Sequence, residues 1–223
     1  MSLRRRRILD SARRILAESG YDKLSIRILA DRSRVTAPTI YHLVGGKAEV
    51  INVLVQEMAT SLNSAQLFKP SVDPIAAVGV MMQRIANFIA KDEAYYRELL
   101  IAWEVQQRFE NFEPSGTSGF SMHSISTVVE SAQEASMLRS DVDLQFLRLH
   151  VWNCYRIARH DWVHDRIDLD RFRHQASSGM LYCLLGAAKE EYRERILTAI
   201  TKSTRAIDDE RTSIFGFDNS PFL

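Results

Sequence analysis

Three observations predict an all-α fold. Apolar residues recur three or four positions apart through most of the 223 residues, which is the spacing of a helix with one buried face. The two-residue alternation of a half-buried β-strand does not extend over any useful length. Two short helices joined by a tight turn can be placed between Ser25 and Lys47. We therefore expect a three-helix head that contains this pair, followed by a larger helical body.

Cap and turn residues define the helix pair. Ser25 is a favourable N-cap for a helix that buries Leu29 and runs to about residue 32. Thr36 caps the second helix, and Pro38 lies in its first turn, where the missing N–H costs nothing. The glycines at 45–46 end that helix. This pattern predicts a helix-turn-helix.

The outer face of the second helix is small and able to form hydrogen bonds. Ile40 and Val44 lie four positions apart and are expected to point inwards. Compact side chains with hydroxyl groups and a ring nitrogen suit a helix that lies in a DNA major groove. The residues left on the outer face are Thr36, Ala37, Thr39, Tyr41 and His42.

Charge is divided unevenly along the chain. The first 50 residues hold eleven Arg and Lys against five Asp and Glu, and the remainder holds eighteen against twenty-three, so the formal net charge is only +1. A basic head on an acidic body is expected of a module that meets phosphates, although solvated helix faces also gather charge. The coincidence with the helix-turn-helix favours phosphate contact. Four consecutive arginines at 4–7 either add nonspecific phosphate contacts or remain in solvent.

Seven short runs in the head carry a family resemblance. They are ILDSA at 8–12, GY at 20–21, SIR at 25–27, LA at 29–30, VT at 35–36, TIYH at 39–42 and GK at 46–47. In order and without gaps, they resemble the N-terminal domain of the TetR family of transcriptional regulators. The resemblance implies DNA binding and places Tyr41, His42 and Lys47 on the DNA backbone. The predicted DNA-binding residues are Arg27, Arg34, Thr36, Ala37, Thr39, Tyr41, His42 and Lys47.

Three departures from the family pattern involve four positions. Arg34 stands where the turn usually has Gly, so a residue with a Cβ must hold a positive φ at a cost of about 1 kcal/mol. Ala37 and Pro38 stand where a basic or polar residue and Gly are common, and Val44 replaces the usual Phe. The change at 37–38 removes one expected base or phosphate contact, so it bears on the operator sequence more than on DNA binding itself.

The remaining helices follow from apolar periodicity and capping residues. The first helix spans residues 4–19, and a fourth begins near Lys47, passes Leu62 and connects the head to the body. Later helices are predicted at 75–90 with Asp73 as cap, from Asp92 or Glu93 onward, and at 121–137, 143–166 and 170–200. We divide the chain into a helix-turn-helix DNA-binding domain at 1–47, a helical effector-binding and dimerisation domain at 48–204, and a C-terminal tail at 205–223.

The last two long predicted helices favour a homodimer. The helix at 143–166 is apolar almost all round, so it must be covered on several sides. The helix at 170–200 offers small residues that permit close helix contact, and together the two helices could form the four-helix seam of a two-fold dimer. The alternative is that these residues form an intrachain core.

The body contains aromatic residues that suit a pocket for an apolar ligand. In the TetR family the pocket lies among helices 5 to 8, so the resemblance implies a small-molecule effector. The predicted ligand-binding residues combine a large apolar body with a polar tip: Tyr96, Trp103, His123, Trp152 and Tyr155. Most such residues are plain core in other proteins, and that alternative stays open.

His160 and His164 lie four positions apart on a helix, which is a metal-ligand spacing. The run HDWVH mimics a zinc peptidase signature, but Asp161 replaces the longer Glu base and no third ligand follows at a recognisable spacing. We therefore predict no metal, no cofactor and no enzymatic activity. An enzyme or metal protein built on this histidine pair is the alternative from another class.

The sequence shows no secretory signal and no apolar run of membrane length, and Cys154 and Cys183 fit no metal or redox spacing. We expect a cytoplasmic protein without a membrane partner. The predicted function is a homodimeric, ligand-responsive transcriptional regulator. It would be a repressor released from double-stranded operator DNA by a small apolar or aromatic effector. An architectural DNA-binding module without an effector is a further alternative.

Overall fold

A computed structural model describes residues 3–64, 73–107 and 117–208, with the side chains at 63–64, 107, 117–124, 126 and 205–208 outside the description. The all-α prediction is confirmed. Within the described ranges, β pairing is limited to one isolated bridge between Leu138 and Ala188. The helices are α1 Leu3–Ser19, α2 Ile26–Ser33, α3 Ala37–Leu43, α4 Lys47–Ser64, α5 Pro74–Ile89, α6 Glu93–Gln107, α7 Thr117–Glu134, α8 Leu144–Val163, α9 Leu169–Ala187 and α10 Glu190–Asp208.

The first three helices form the predicted head. α1 buries Ile8, Ile15 and Leu16 against Leu29 of α2 and Ile40 of α3. Gly20 follows α1 with a positive φ of 78°, and a short 3₁₀ turn, Tyr21–Lys23, leads towards α2. α4 then contacts both α1 and the body helices α6 and α7, so it connects the head to the body as predicted.

Two aspartates cap helices of the body, and the predicted cap Asp73 is confirmed. Asp73 precedes α5, and its carboxylate accepts a 3.1 Å hydrogen bond from the backbone N–H of Ile75. Asp143 precedes α8 and accepts from the backbone N–H groups of Gln145 and Phe146 at 2.9 and 3.1 Å. A carboxylate at this position satisfies N–H groups that have no helical acceptor, so the chain begins a helix there.

The single helix predicted at 170–200 is wrong, because two helices occupy that segment. α9 ends at Ala187, Ala188 is extended with φ −76° and ψ 152°, and α10 begins at Glu190. The break is held by backbone hydrogen bonds to the segment before α8, from Arg139 N–H to the Ala187 carbonyl and from Lys189 N–H to the Met137 carbonyl. α10 extends to Asp208, past the start of the predicted tail, and residues 209–223 lie outside the description.

α9 is the central helix of the body and packs between α8 and α10 and against α5. Its inward side chains Phe172, Met180 and Leu184 are fully buried. Gly179, one of the small residues expected in the dimer seam, instead contacts α8 of the same chain: a Cβ there would lie 3.0 Å from the Cβ of Cys154. The intrachain alternative therefore accounts for this part of α9.

Candidate functional site

The turn between α2 and α3 has the strained geometry that the sequence predicted. Arg34 is left-handed, with φ 52° and ψ 49°, and its backbone N–H bonds back to the end of α2. The next N–H, of Val35, donates to the Ala30 carbonyl at 3.1 Å. The guanidinium of Arg7 donates to the Arg34 carbonyl at 3.3 Å, so α1 contacts this turn. These bonds fix the direction in which α3 leaves the turn.

α3 has one buried and one exposed side. Ile40 is completely buried, whereas Tyr41 is 60% exposed and His42 is also exposed. Thr36 occupies the N-cap position but makes no capping hydrogen bond with its side chain, which corrects part of its predicted role. Its hydroxyl lies 2.9 Å from the Thr39 hydroxyl instead, because both side chains are on the outer face of the first turn.

The other predicted DNA-binding residues surround that face. Ala37 is partly exposed, and Arg27 on α2 and Arg34 in the turn are exposed. Ser25 caps α2 as predicted, since its hydroxyl accepts from the backbone N–H of Ile28 at 3.2 Å. The first turn of α2 therefore presents Arg27 on the same head as the exposed side of α3.

Lys47 begins α4 and is held against the head. Its ammonium donates to the Tyr21 carbonyl at 3.0 Å and lies 3.6 Å from the centroid of the Tyr21 ring. Partial burial lowers the pKa of Lys47, while nearby Asp22 acts in the opposite direction. Gly45, with φ 115°, leaves room for Glu49 in the first turn of α4, because a Cβ there would lie 2.6 Å from the Cβ of Glu49. In the DNA-free chain Lys47 therefore supports the packing of the head.

The head is fastened to the body by two sets of polar contacts. The backbone N–H of Tyr21 donates to the carboxylate of Glu98 on α6 at 2.8 Å. Arg13 of α1 pairs with Glu57 of α4 and hydrogen-bonds the hydroxyl of Tyr95 on α6. A displacement of α6 therefore acts on the head through both α1 and Tyr21.

Three of the predicted ligand-binding residues lie together between α6 and α8. The rings of Trp152 and Tyr155 are 5.5 Å apart, and Arg159 lies 5.2 Å from the Trp103 ring and 5.9 Å from the Tyr155 ring. Burial raises the pKa of Tyr155 although Arg159 opposes the shift. The group combines aromatic walls with a buried cation, which sequence reasoning did not include.

The other two predicted ligand-binding residues are not part of this group. The Tyr96 ring contacts Phe88 and Tyr95, with centroids 4.9 and 5.0 Å away. His123 lies in α7, but its side chain is outside the description. A groove of about 820 Å³ opens elsewhere, between α5, α9 and α10. It is lined by none of the five predicted residues, and its charged residues include Arg173, Arg195 and Lys202.

The histidine pair has an acidic partner that the sequence did not indicate. Glu104 of α6 lies 3.2 Å from Nδ1 of His160 and 3.3 Å from Nε2 of His164. Its other carboxylate oxygen accepts from buried Arg159 at 3.3 Å. Burial alone would raise the pKa of Glu104, but Arg159 and the two histidines bring it below its usual value. Glu104 precedes the pair by more than 50 residues, so no local spacing could have found it.

An apolar face of the body is uncovered in the single chain. Phe146 and Ile157 of α8 are 63% and 52% exposed, and Leu149 between them is also exposed. Tyr182 of the neighbouring helix α9 is 55% exposed. We call Phe146, Leu149, Ile157 and Tyr182 the apolar face.

In the part of the chain that the structure describes, no helix is long and apolar enough to cross a membrane.

Comparisons with known proteins agree with the helix-turn-helix head. Residues 8–54 match the family described as "Bacterial regulatory proteins, tetR family". No curated protein matches the sequence significantly.

Solved structures share the fold across both parts of the chain. SmeT, the repressor of the Stenotrophomonas maltophilia multidrug efflux pump SmeDEF, has a TM-score of 0.62 at 17% identity over 83% of this chain and 91% of its own. A SmeT–triclosan complex gives 0.59 at 16% over 85% and 93%. A TetR transcription regulator from Haloarcula marismortui ATCC 43049 gives 0.62 at 14% over 85% and 100%. Identities this low establish the fold alone.

Proposed function

This chain belongs to the TetR family of DNA-binding transcriptional regulators, and we propose that it is a homodimeric repressor that a small apolar or aromatic effector releases from its operator. The family consists of regulators and not of enzymes. We further propose that residues 1–47 act as the DNA-binding domain and residues 48–204 as the effector-binding and dimerisation domain. The proposal depends mainly on α3, whose exposed face is fixed over buried Ile40.

On operator DNA, α3 of each subunit enters a major groove. Thr36, Ala37, Thr39 and Tyr41 face the base edges and the sugar-phosphate backbone, while exposed Arg27, Arg34 and His42 lie beside them. The ammonium of Lys47 donates one hydrogen bond to the Tyr21 carbonyl, so its other N–H groups are available to a phosphate at the start of α4. Two such heads bind half-sites about 34 to 36 Å apart, one helical turn of the duplex.

The apolar face supports a dimer through α8 and α9. Large apolar side chains at adjacent positions of two neighbouring helices are unfavourable in water, and pairing this face with its two-fold copy removes them from solvent. The seam was predicted to involve the segments 143–166 and 170–200. Because the second segment contains two helices, we propose that the seam is formed by α8 and α9 and does not include α10.

The effector would bind beside Trp103, Trp152 and Tyr155. Aromatic walls with a buried Arg159 suit an aromatic ligand with a polar or anionic group. SmeT, which shares this fold, has been solved as a complex with triclosan. Movement of α6 on binding changes the position of the head through Glu98 and Tyr21. The effector must bind the released conformation better, with a coupling of about 1–3 kcal/mol.

Duplex binding tests the proposal. Duplexes selected from a random pool by the purified chain should contain an inverted repeat, and the chain should bind them in a salt-dependent manner. Tyr41→Ala with Lys47→Ala should weaken this binding at least tenfold, because phosphate contacts are lost. Lys91→Ala, an exposed lysine of the body, should leave it unchanged. Undiminished affinity in the double variant would contradict the proposed interface.

A thermal-shift screen of aromatic compounds tests the effector. A compound that stabilises the chain should also release the selected duplex, and Trp103→Ala should abolish both effects. Failure of every compound to stabilise the body would favour the alternative of an architectural DNA-binding module without an effector.

A further inference from the structure

We propose that Glu104, His160 and His164 bind a divalent transition-metal ion of the zinc class and thereby join α6 to α8. The three side chains come from two helices that are distant in sequence. His160 and His164 are one turn apart at the end of α8, and Glu104 is near the end of α6. One potential ligand atom from each lies within 4.8 Å of the others. This site does not depend on the proposed DNA-binding function.

The distances suit a tetrahedral ion. Bonds of 2.0–2.2 Å to nitrogen and oxygen place neighbouring ligand atoms of a tetrahedron about 3.3–3.5 Å apart. The Glu104 oxygen lies 3.2 Å from Nδ1 of His160 and 3.3 Å from Nε2 of His164. These two separations are therefore already close to the required value, and all three ligand atoms lie within 4.8 Å of one another. In the metal-free chain the same distances are hydrogen bonds, so an ion replaces the protons between these groups.

The chemistry of the ligand set selects the ion. Two imidazoles and one carboxylate favour Zn²⁺, Co²⁺ or Ni²⁺ over Mg²⁺ and Ca²⁺, which prefer oxygen ligands. Three protein ligands leave a fourth tetrahedral position for water or for a ligand atom of a small molecule. His164 and His160 are partly exposed, so an ion can reach the site from solvent.

Arg159 acts as a positioning residue. Its guanidinium is almost completely buried and donates to one oxygen of Glu104, while the two histidines face the other oxygen. A hydrogen-bonded second oxygen holds a carboxylate ligand in one orientation. Arg159 also lies over Trp103, so the proposed metal site adjoins the proposed effector site.

An ion here would clamp two helices with different partners. α6 packs against α1 and α4, whereas α8 packs against α7 and α9. Near the start of α6, Arg97 pairs with Asp165, and the indole N–H of Trp162 on α8 donates to Glu93 at 2.9 Å. The bonds to a metal ion would therefore restrain α6, the helix whose Glu98 accepts the hydrogen bond from Tyr21 of the head.

The test uses the full chain, freed of any affinity tag and stripped of metal. Titration with Co²⁺ should give the visible absorption of a tetrahedral complex that saturates at one equivalent per chain, and Zn²⁺ should displace it. Glu104→Gln, His160→Gln and His164→Gln should each weaken Co²⁺ binding at least tenfold. His150→Gln is the matched control, because His150 is exposed on the same helix outside the cluster and should bind normally.

The controls separate this site from adventitious binding. Circular dichroism of each variant establishes folding, and partly exposed His164 is the substitution least expected to disturb it. Absence of Co²⁺ binding to the folded parent chain would overturn the proposal, as would binding that His150→Gln removes. Binding that survives Glu104→Gln would mean a surface histidine pair without the carboxylate, and would also overturn it.

Discussion

The backbone N–H of Tyr21 donates a 2.8 Å hydrogen bond to the carboxylate of Glu98, and this bond joins the head to α6 of the body. The carbonyl and ring of the same Tyr21 hold the ammonium of Lys47 at the start of α4. Tyr21 therefore contacts both the body helix next to the proposed effector site and a residue proposed to meet DNA. We propose that this short path couples the two sites.

Removing the Glu98 carboxylate should destabilise the chain and weaken the coupling. Glu98→Ala leaves the partly buried N–H of Tyr21 without its acceptor, which costs about 1–3 kcal/mol of unfolding free energy. Glu98→Gln keeps a carbonyl acceptor and should recover at least half of that loss. Urea unfolding measures both. Glu194→Ala, exposed on α10, is the control and should change the free energy by less than about 0.5 kcal/mol.

Arg34→Gly should raise stability while it weakens DNA binding. Glycine relieves the left-handed strain, worth about 1 kcal/mol, but removes a cation beside the proposed DNA face. Arg32→Gly, in the last turn of α2, should instead destabilise by about 1 kcal/mol because its backbone is helical. Urea unfolding and duplex titration distinguish the two effects. Equal destabilisation by both substitutions would mean that Arg34 carries no strain.

The fold was predictable wherever local chemistry decides the structure. The capping residue Asp73 located the start of α5 correctly, because a carboxylate there satisfies free N–H groups whatever the tertiary contacts are. The positive φ of Arg34 was expected from the family resemblance, because the family usually has Gly at this position of the turn. The break at Ala188 was missed because backbone bonds from the distant Met137–Arg139 segment hold it. The sequence feature that indicates this break is the acidic pair Glu190 and Glu191, because acidic residues are favourable in the first turn of a helix.

The candidate sites were predictable only in part. The exposed side of α3 follows from helix periodicity around Ile40, and the structure agrees. Glu104 and Arg159 escaped detection because their roles depend on how α6 packs against α8, which no local spacing encodes. Tyr96 and Tyr155 were predicted as ligand-binding residues because a tyrosine combines an apolar ring with a polar tip. Tyr96 contacts Phe88 and Tyr95 instead of joining the Tyr155 group, and this too depends on helix packing.

Adjacent residues of α3 should separate stability from DNA binding. Ile40→Ala opens a cavity under the helix and should cost about 2–5 kcal/mol of unfolding free energy. Tyr41→Ala removes an exposed ring, so it should change stability by less than about 0.5 kcal/mol and still weaken duplex binding. Urea unfolding and fluorescence anisotropy with the selected duplex provide the two measurements. A large stability loss in Tyr41→Ala would show that its ring packs in the core.

The two cysteines should differ in reactivity. Their sulfurs lie 3.6 Å apart, and the hydrogen bond from Cys183 lowers the pKa of Cys154 to about 7, whereas the same contact raises the pKa of Cys183. Iodoacetamide should therefore label Cys154 first, at a rate that rises as the pH increases through about 7. Mass spectrometry locates the label. Cys183→Ala should move the midpoint upwards towards the ordinary thiol value. Preferential labelling of Cys183 in the parent chain would refute the assignment.

The apolar face should be required for both dimerisation and operator binding. Phe146→Glu with Ile157→Glu places two charges where the proposed seam excludes water, so sedimentation should show a monomer in place of a dimer. Because both residues are exposed in the single chain, the monomer should remain folded by circular dichroism. Val80→Glu, on an exposed position of α5, is the control and should remain dimeric. The monomeric variant should also lose high-affinity binding to an inverted repeat, since one head gains nothing from the second half-site. A dimer that tolerates both charges would place the interface on another surface.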